Sequence, residues 1–141
     1  MPEVEIRAFD ELSTDELYAI LQLRCEVFVV GQGITSEPDV DGADPECVHV
    51  MMWEGDELVG TARIDVAESP WSVGRVAVAE SHRGQGFGTE LMEAVHTYVG
   101  DRPVELHAQA HLEEWYRSLG WERVGEPFSE ANIEHVRMVW R

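Results

Sequence analysis

The sequence predicts an α+β fold, a mixed sheet with helices on its faces, and three observations carry that prediction. Apolar stretches of strand length outnumber those of helical length. Two of the strands, around Val48–Trp53 and Leu58–Ile64, are separated only by Glu54, Gly55 and Asp56, which reads as an antiparallel hairpin. A third strand, containing Val73, Val76, Ala77 and Val78, runs through the glycine-rich turn Arg83, Gly84, Gln85, Gly86, Phe87, Gly88 into an amphipathic helix. The predicted order is strand, helix, hairpin, strand, helix, strand, helix, strands, which is not the regular alternation of a doubly wound fold.

Val4, Ile6 and Ala8 alternate with Glu5 and Arg7 and predict a half-buried first strand. Ser13 and Glu16 form a capping box, with Leu12 as a staple before it. Leu17, Ile20, Leu21, Val27 and Phe28 then keep helical spacing to about Val30. From Gly31 to Pro45 the chain is rich in Gly, Pro and acid and reads as a long loop outside the core. The helix after the glycine turn turns Leu91, Met92, Val95, Tyr98 and Val99 inward, and Gly100 and Pro103 end it. Val104, Leu106, Ala108 and Ala110 predict a fifth strand. A short helix over about Leu112–Leu119 follows, closed by Gly120. Val124 marks a brief strand, Glu126 and Pro127 a turn, and Ile133–Trp140 a last strand.

The length of 141 residues suits one domain, 1–141, that buries about two thirds of its unfolded surface. The net charge is −18, from 28 acidic and 10 basic residues, and every basic residue is Arg. That balance excludes nucleic acid and anionic membranes as partners, since both need clustered cations. It resembles the composition of cytosolic proteins adapted to concentrated salt, where dense carboxylates keep a surface solvated. No apolar run is long enough to span a membrane, and Met1, Pro2, Glu3, Val4, Glu5 is not a leader pattern, so a cytoplasmic location is expected. Cys25 and Cys47 lack metal-ligand spacing and are expected to be free, buried, apolar side chains. His49, His82, His96 and His135 are scattered singly, and no metal site is predicted. Asp39, Asp41 and Asp44 read as solvated surface, with an acceptor lid that attracts a cationic amine as the alternative.

Alternate glycines at 84, 86 and 88 let successive backbone N–H groups turn inward at a helix N-terminus, where the dipole also favours an anion. Arg83 adds a fixed positive charge. The spacing fits neither the dinucleotide fingerprint nor the nucleoside-triphosphate loop. The turn alone therefore predicts an anionic ligand of the phosphate or pyrophosphate kind.

Once the turn and helix are placed, the chain resembles the Gcn5-related N-acetyltransferase (GNAT) superfamily over nearly its whole length, most closely the ElaA-like branch. Arg83, Gly86 and Gly88 fit that family's Arg/Gln-x-x-Gly-x-Gly/Ala loop. Trp115 and Tyr116 followed by Gly120 and Trp121 fit its second signature. Leu23, Arg24, Cys25, Val27, Phe28, Gln32, then Asp39, Asp41, Gly42, and Gln109, Ala110, His111 resemble the branch. The resemblance implies a mostly antiparallel six- to seven-stranded sheet, about four flanking helices and a splay between the fourth and fifth strands. It also implies acetyl-coenzyme A as acetyl donor and a primary amine, on a small molecule or a protein, as acceptor. By position, the main chain of Val76, Ala77 and Val78 would hold the pantetheine arm and thioester. Arg83, Gly84, Gln85, Gly86, Phe87, Gly88 and Thr89 would hold the pyrophosphate, and Gln109 stands where most relatives have a cofactor-contacting Asn. Gly31 occupies a position where relatives of the branch carry Glu. An assembly as a homodimer is compatible with the resemblance.

Direct attack of a neutral amine on the thioester needs no acyl-enzyme. A strand-four N–H, from Val78 or its neighbour, would stabilise the oxyanion, and Tyr116 would protonate the departing thiolate because a phenol's ordinary pKa lies just above a thiol's. His111 is the first candidate for the base, ahead of His107 and Glu113. The competing reading is a non-catalytic acyl-coenzyme A sensor that keeps the phosphate nest and lacks an acceptor site. Gly31 favours that reading and Tyr116 disfavours it.

Overall fold

The computed structural model describes residues 2–140. In chain order its elements are β1 (Glu3–Ala8), α1 (Thr14–Arg24), β2 (Cys47–Glu54), β3 (Glu57–Asp65), β4 (Trp71–Val78), α2 (Phe87–Val99), β5 (Val104–Gln109), α3 (Glu113–Ser118), β6 (Glu122–Glu130) and β7 (Ile133–Trp140). The strands form one sheet in the order β1-β2-β3-β4-β5-β7-β6. Every neighbouring pair is antiparallel except β4 and β5, which are parallel. The predicted mixed sheet is thus seven-stranded, with three α-helices among the described residues.

Ser13 caps α1 as a capping box, its hydroxyl accepting from Glu16 N–H at 3.0 Å while Glu16 accepts from Ser13 N–H at 2.8 Å. The helix does not stop at Arg24 but widens into a π-helical turn, Cys25–Gly31, which carries it one residue beyond the predicted end. Ile20, Leu23 and Val27 pack against Met51, Leu58 and Ala77 on one face of the sheet. On the other face, Leu91, Met92, Val95 and Val99 of α2 join Val50, Ile64, Leu106, Trp121 and Met138 in the larger core.

Four expectations are corrected. Tyr98 is not on the inner face of α2; it is exposed and stacks on Trp71 at the rim. Glu126 and Pro127 do not make the last turn. They lie inside β6, where the register slips between Val124 and Phe128 beside Gly125, whose φ is +83°. The extra residues form a bulge, and the reversal falls at Ala131 and Asn132, both at positive φ. Cys25 is exposed, on the side of the helix away from buried Ile20, Leu23 and Val27, whereas Cys47 is buried as expected and burial pushes its thiol up to about 11. The acidic loop is not freely solvated at its three aspartates: Asp44 is buried, Asp41 stays exposed, and all three pair with Arg24, Arg63 and Arg75.

Candidate active site

The site begins where the sheet comes apart. β4 is paired with β3 as far as Val78, but with β5 only over Trp71–Val73 opposite Val104–Leu106. Beyond Val73 the edge of β4 that faced β5 has no strand partner, so its main-chain groups line an opening. A bulge opposite Thr61 and Arg63, with Arg75 at φ +52°, turns β4 away at that point. The wedge widens into a cavity of about 1120 Å³ whose wall includes Val76, Ala77, Val78, Gln109, His111 and Tyr116.

At one end of the wedge lies the glycine turn. Gly84 and Gly86 have φ of +77° and +82°, and a Cβ built on either meets nothing within 4 Å, so both glycines serve the backbone conformation and leave open space beside it. Gly88 differs: a Cβ there would sit 3.2 Å from Cζ2 of Trp115, so its bare backbone lets α2 seat against α3. Arg83, Gly84, Gly86, Phe87, Gly88 and Thr89 all line the cavity, whereas Gln85 is exposed and outside its wall. Phe87 is buried and stacks on His82, which anchors the start of α2. Arg83 is not free in solvent, because its Nε donates to the carbonyl of Val78 at 3.2 Å and ties the turn to the end of β4. The backbone amides of the turn, an open N-terminus of α2 and this guanidinium suit an extended polyphosphate ligand.

Tyr116 on α3 is 5% exposed and edges against Trp115, with ring centroids 4.8 Å apart. Burial alone pushes its phenol well above its ordinary pKa. The close match to a thiol expected from the sequence therefore does not hold at this buried position. The hydroxyl stays protonated throughout the working range and is a hydrogen-bond donor. Gln109 and Gln32 are joined side chain to side chain by two reciprocal hydrogen bonds of 2.9 Å, closing the gap between the end of β5 and the loop after the π turn. His111 is exposed on the same wall. Gly31 also lines it, and a Cβ there would sit 3.0 Å from the Glu26 carbonyl oxygen, a contact that asks that carbonyl to give by a few tenths of an ångström.

Residues 35–141 match the acetyltransferase (GNAT) domain family. The chain belongs to the GNAT acetyltransferase family. This GNAT chain is 44% identical to the protein ElaA of Escherichia coli K12 over 137 residues, spanning 91% of this chain and 89% of ElaA. Its fold superimposes on an acyl-CoA N-acyltransferase from Pseudomonas aeruginosa with a TM-score of 0.92 at 35% identity, and on the crystal structure of E. coli ElaA with 0.90 at 40% identity. Both superpositions cover 100% of each chain. The parallel β4–β5 pair and its splay are thus a property of the family's fold. Among the described residues no group of side chains could hold a metal ion, and no helix is long and apolar enough to cross a membrane.

Among the residues of this GNAT cavity wall that sequence reasoning did not assign to it are Glu130 and His135. The misplaced last turn hid them. With the reversal at Ala131 and Asn132, His135 falls opposite Phe128 on one side and Gln109 on the other, and Glu130 ends beside them.

Proposed function

We propose that this protein is an acetyl-coenzyme A dependent N-acetyltransferase that acts on a primary amine in a ternary complex. The observation that carries the reading is the unpaired stretch of β4 after Val73, set between the glycine turn and Tyr116. Bound acetyl-coenzyme A supplies a thioester, an acyl carbon with a good leaving group. The turn Arg83–Thr89 and the start of α2 hold the pyrophosphate, although Gly88 contributes chiefly by admitting Trp115 and Gln85 stands outside the wall. Main-chain groups of Val76, Ala77 and Val78 hold the pantetheine arm as an added strand would, and an N–H at Val78 or its neighbour faces the developing oxyanion. Tyr116 donates to the sulfur as it leaves. Because burial holds its phenol high, its contribution is a directed hydrogen bond with proton transfer late in bond cleavage. Gln109, engaged with Gln32, lies within reach of a ligand only when that amide pair opens or shares a donor.

The sensor reading keeps one observation in its favour. Gly31 leaves the cavity wall without a carboxylate at the position where relatives of the branch carry Glu. A panel of polyamines, amino acids, aminoglycosides and lysine peptides, followed by free thiol release in concentrated salt, separates the two. Turnover with any of these amines supports the enzyme. Tight acetyl-coenzyme A binding with no thiol release supports the sensor. Acetyl-coenzyme A at a hundredfold excess over its Kd should stabilise the fold by about 2.7 kcal/mol, and NAD should not stabilise it. A melting shift with NAD and none with acetyl-coenzyme A would overturn both readings.

A further inference from the structure

The acceptor reaches a thioester as an ammonium ion and attacks only after losing a proton, so the site needs a base whose ring or carboxylate is held toward the cavity. Two imidazoles on the wall, His107 and His111, were candidates from the sequence, and the structure treats them differently. His107 projects from β5, and its Nδ1 lies 2.9 Å from Oε1 of Glu130, which comes from the far end of β6 across β7. A carboxylate only accepts, so Nδ1 carries the hydrogen and the neutral ring holds its lone pair on Nε2. Phe128 meets the ring edge-on with centroids 5.0 Å apart, which fixes its plane. The His107 side chain is 43% exposed, so the proton it takes has a path to water. His111 has neither an orienting carboxylate nor a packed ring among the hydrogen bonds and ring contacts of the described residues.

The other charged groups around His107 are already engaged. Arg137, its partner on β7, is held by Glu105 through contacts of 2.6 and 2.7 Å. His135, also on β7, has Nδ1 2.8 Å from the carbonyl of Ile133, which makes Nδ1 the donor and turns Nε2 toward Oε2 of Glu130 at 3.8 Å. Glu130 thus stands between two imidazoles, with a hydrogen bond only to His107.

We propose that His107 is the general base for the acceptor ammonium and that Glu130 is the residue that positions it. The assignment rests on the N-acetyltransferase reading. The ammonium gives one proton to Nε2 of His107, the freed lone pair forms the C–N bond, and the C–S bond breaks with its electron pair on sulfur. The sulfur takes a proton through Tyr116, the nitrogen's second proton replaces it, and His107 returns its own to water. One amide, one thiol and one proton result.

The test uses whichever amine of the panel above turns over fastest with the 141-residue chain. His107→Gln should lower kcat by about a hundredfold or more and remove the acid limb of the pH–rate profile. Acetyl-coenzyme A affinity, measured by calorimetry, should stay within about twofold of wild type. Added imidazole should restore part of the turnover of His107→Ala. Glu130→Gln should lower kcat with the acceptor KM unchanged, and should cost nothing further in a His107→Ala background, since a positioning residue has nothing left to position. A His107→Gln enzyme with wild-type kcat overturns the assignment. So does loss of the acid limb in His111→Gln instead, or a His107→Ala enzyme that imidazole does not rescue. Those outcomes leave the acetyltransferase reading standing, because the wild type turns over. A wild type that binds acetyl-coenzyme A and acetylates no amine overturns both.

Discussion

Nη1 of Arg24 donates to Oδ1 of Asp44 at 2.7 Å, and the two side chains are 1% and 6% exposed. The same carboxylate oxygen accepts from Arg63 at 3.1 Å, while Asp39 takes Arg24 Nε at 3.0 Å and faces Arg75. Asp41 completes the set with Arg63 at 2.6 Å. Three guanidiniums from α1, β3 and β4 thereby fasten the loop after the π turn to the back of the site, next to the bulge at Arg75.

Removing one partner should cost more than removing both. Asp44→Ala leaves Arg24 buried with its nearest counter-charge gone, and should destabilise the protein by about 3–5 kcal/mol in chemical denaturation. Arg24→Met combined with Asp44→Leu leaves no unpaired charge at that contact and should cost clearly less. An Asp44→Ala protein as stable as wild type would show that the network holds nothing together.

The same network sets the acid limit of the fold. The hydrogen bond from Arg63 holds the Asp41 carboxyl well below the usual range. At Asp44 burial pushes upward, but the hydrogen bonds and charges of Arg24 and Arg63 outweigh it and the net direction is down. Burial also holds His49 and His96 below the ordinary imidazole value. In all four the unfolded chain binds protons that the folded one does not, so stability falls as pH falls. The histidines should begin the loss below about pH 6.5, and the aspartates should steepen it below about pH 4. Melting temperature against pH at fixed salt checks this; a flat curve from pH 7 to 3 would contradict it.

Much of this architecture was legible in the sequence because it rests on local rules: the capping box at Ser13 and Glu16, the hairpin at Gly55, and the glycines that free the turn before α2. The loop network was not, because Asp39, Asp41 and Asp44 are ordinary surface residues until the fold brings arginines from three separate elements beneath them. The β6–β7 hairpin was misread because Pro127 signals a turn equally well inside a bulge. That single error concealed Glu130 and His135, which reach the cavity only when the strands pair in their actual register. The resemblance to the GNAT family placed Tyr116 but could not supply its burial, which alters what its hydroxyl can do.

Most arginines are tied to particular carboxylates, so the excess negative charge has no internal answer. At net −18 the fold should weaken in dilute buffer and recover in concentrated KCl, where the screening length falls to about 3 Å. Thermal melts across that range decide it. Identical transitions in dilute and molar KCl would remove salt adaptation from the reading of the composition.

Gly86 and Gly125 share nearly the same φ, +82° and +83°, but only Gly86 lines the cavity. Valine at either position meets the same backbone strain, on the order of 1–3 kcal/mol. Gly86→Val should also lose most acetyl-coenzyme A affinity, as its branched side chain fills the space beside the turn. Gly125→Val should lose stability alone. Calorimetric titration of both folded variants is the measurement, and equal affinities would make the turn a structural feature only.

Tyr116→Phe keeps the ring against Trp115 and deletes only a hydroxyl whose sole influence on its own ionisation is burial. If that hydroxyl meets the sulfur only as negative charge develops there, turnover should fall by about a hundredfold while acetyl-coenzyme A affinity barely changes. If it binds the ground-state thioester instead, affinity and kcat/KM should fall together by a modest factor. Because burial holds the phenol high, the alkaline side of the wild-type profile should show no limb from Tyr116 in the range where the fold is stable. The Phe variant should therefore lower the whole curve without changing its shape there. Wild-type turnover at saturating acceptor, with chemistry shown to be slower than product release, would take Tyr116 out of the mechanism.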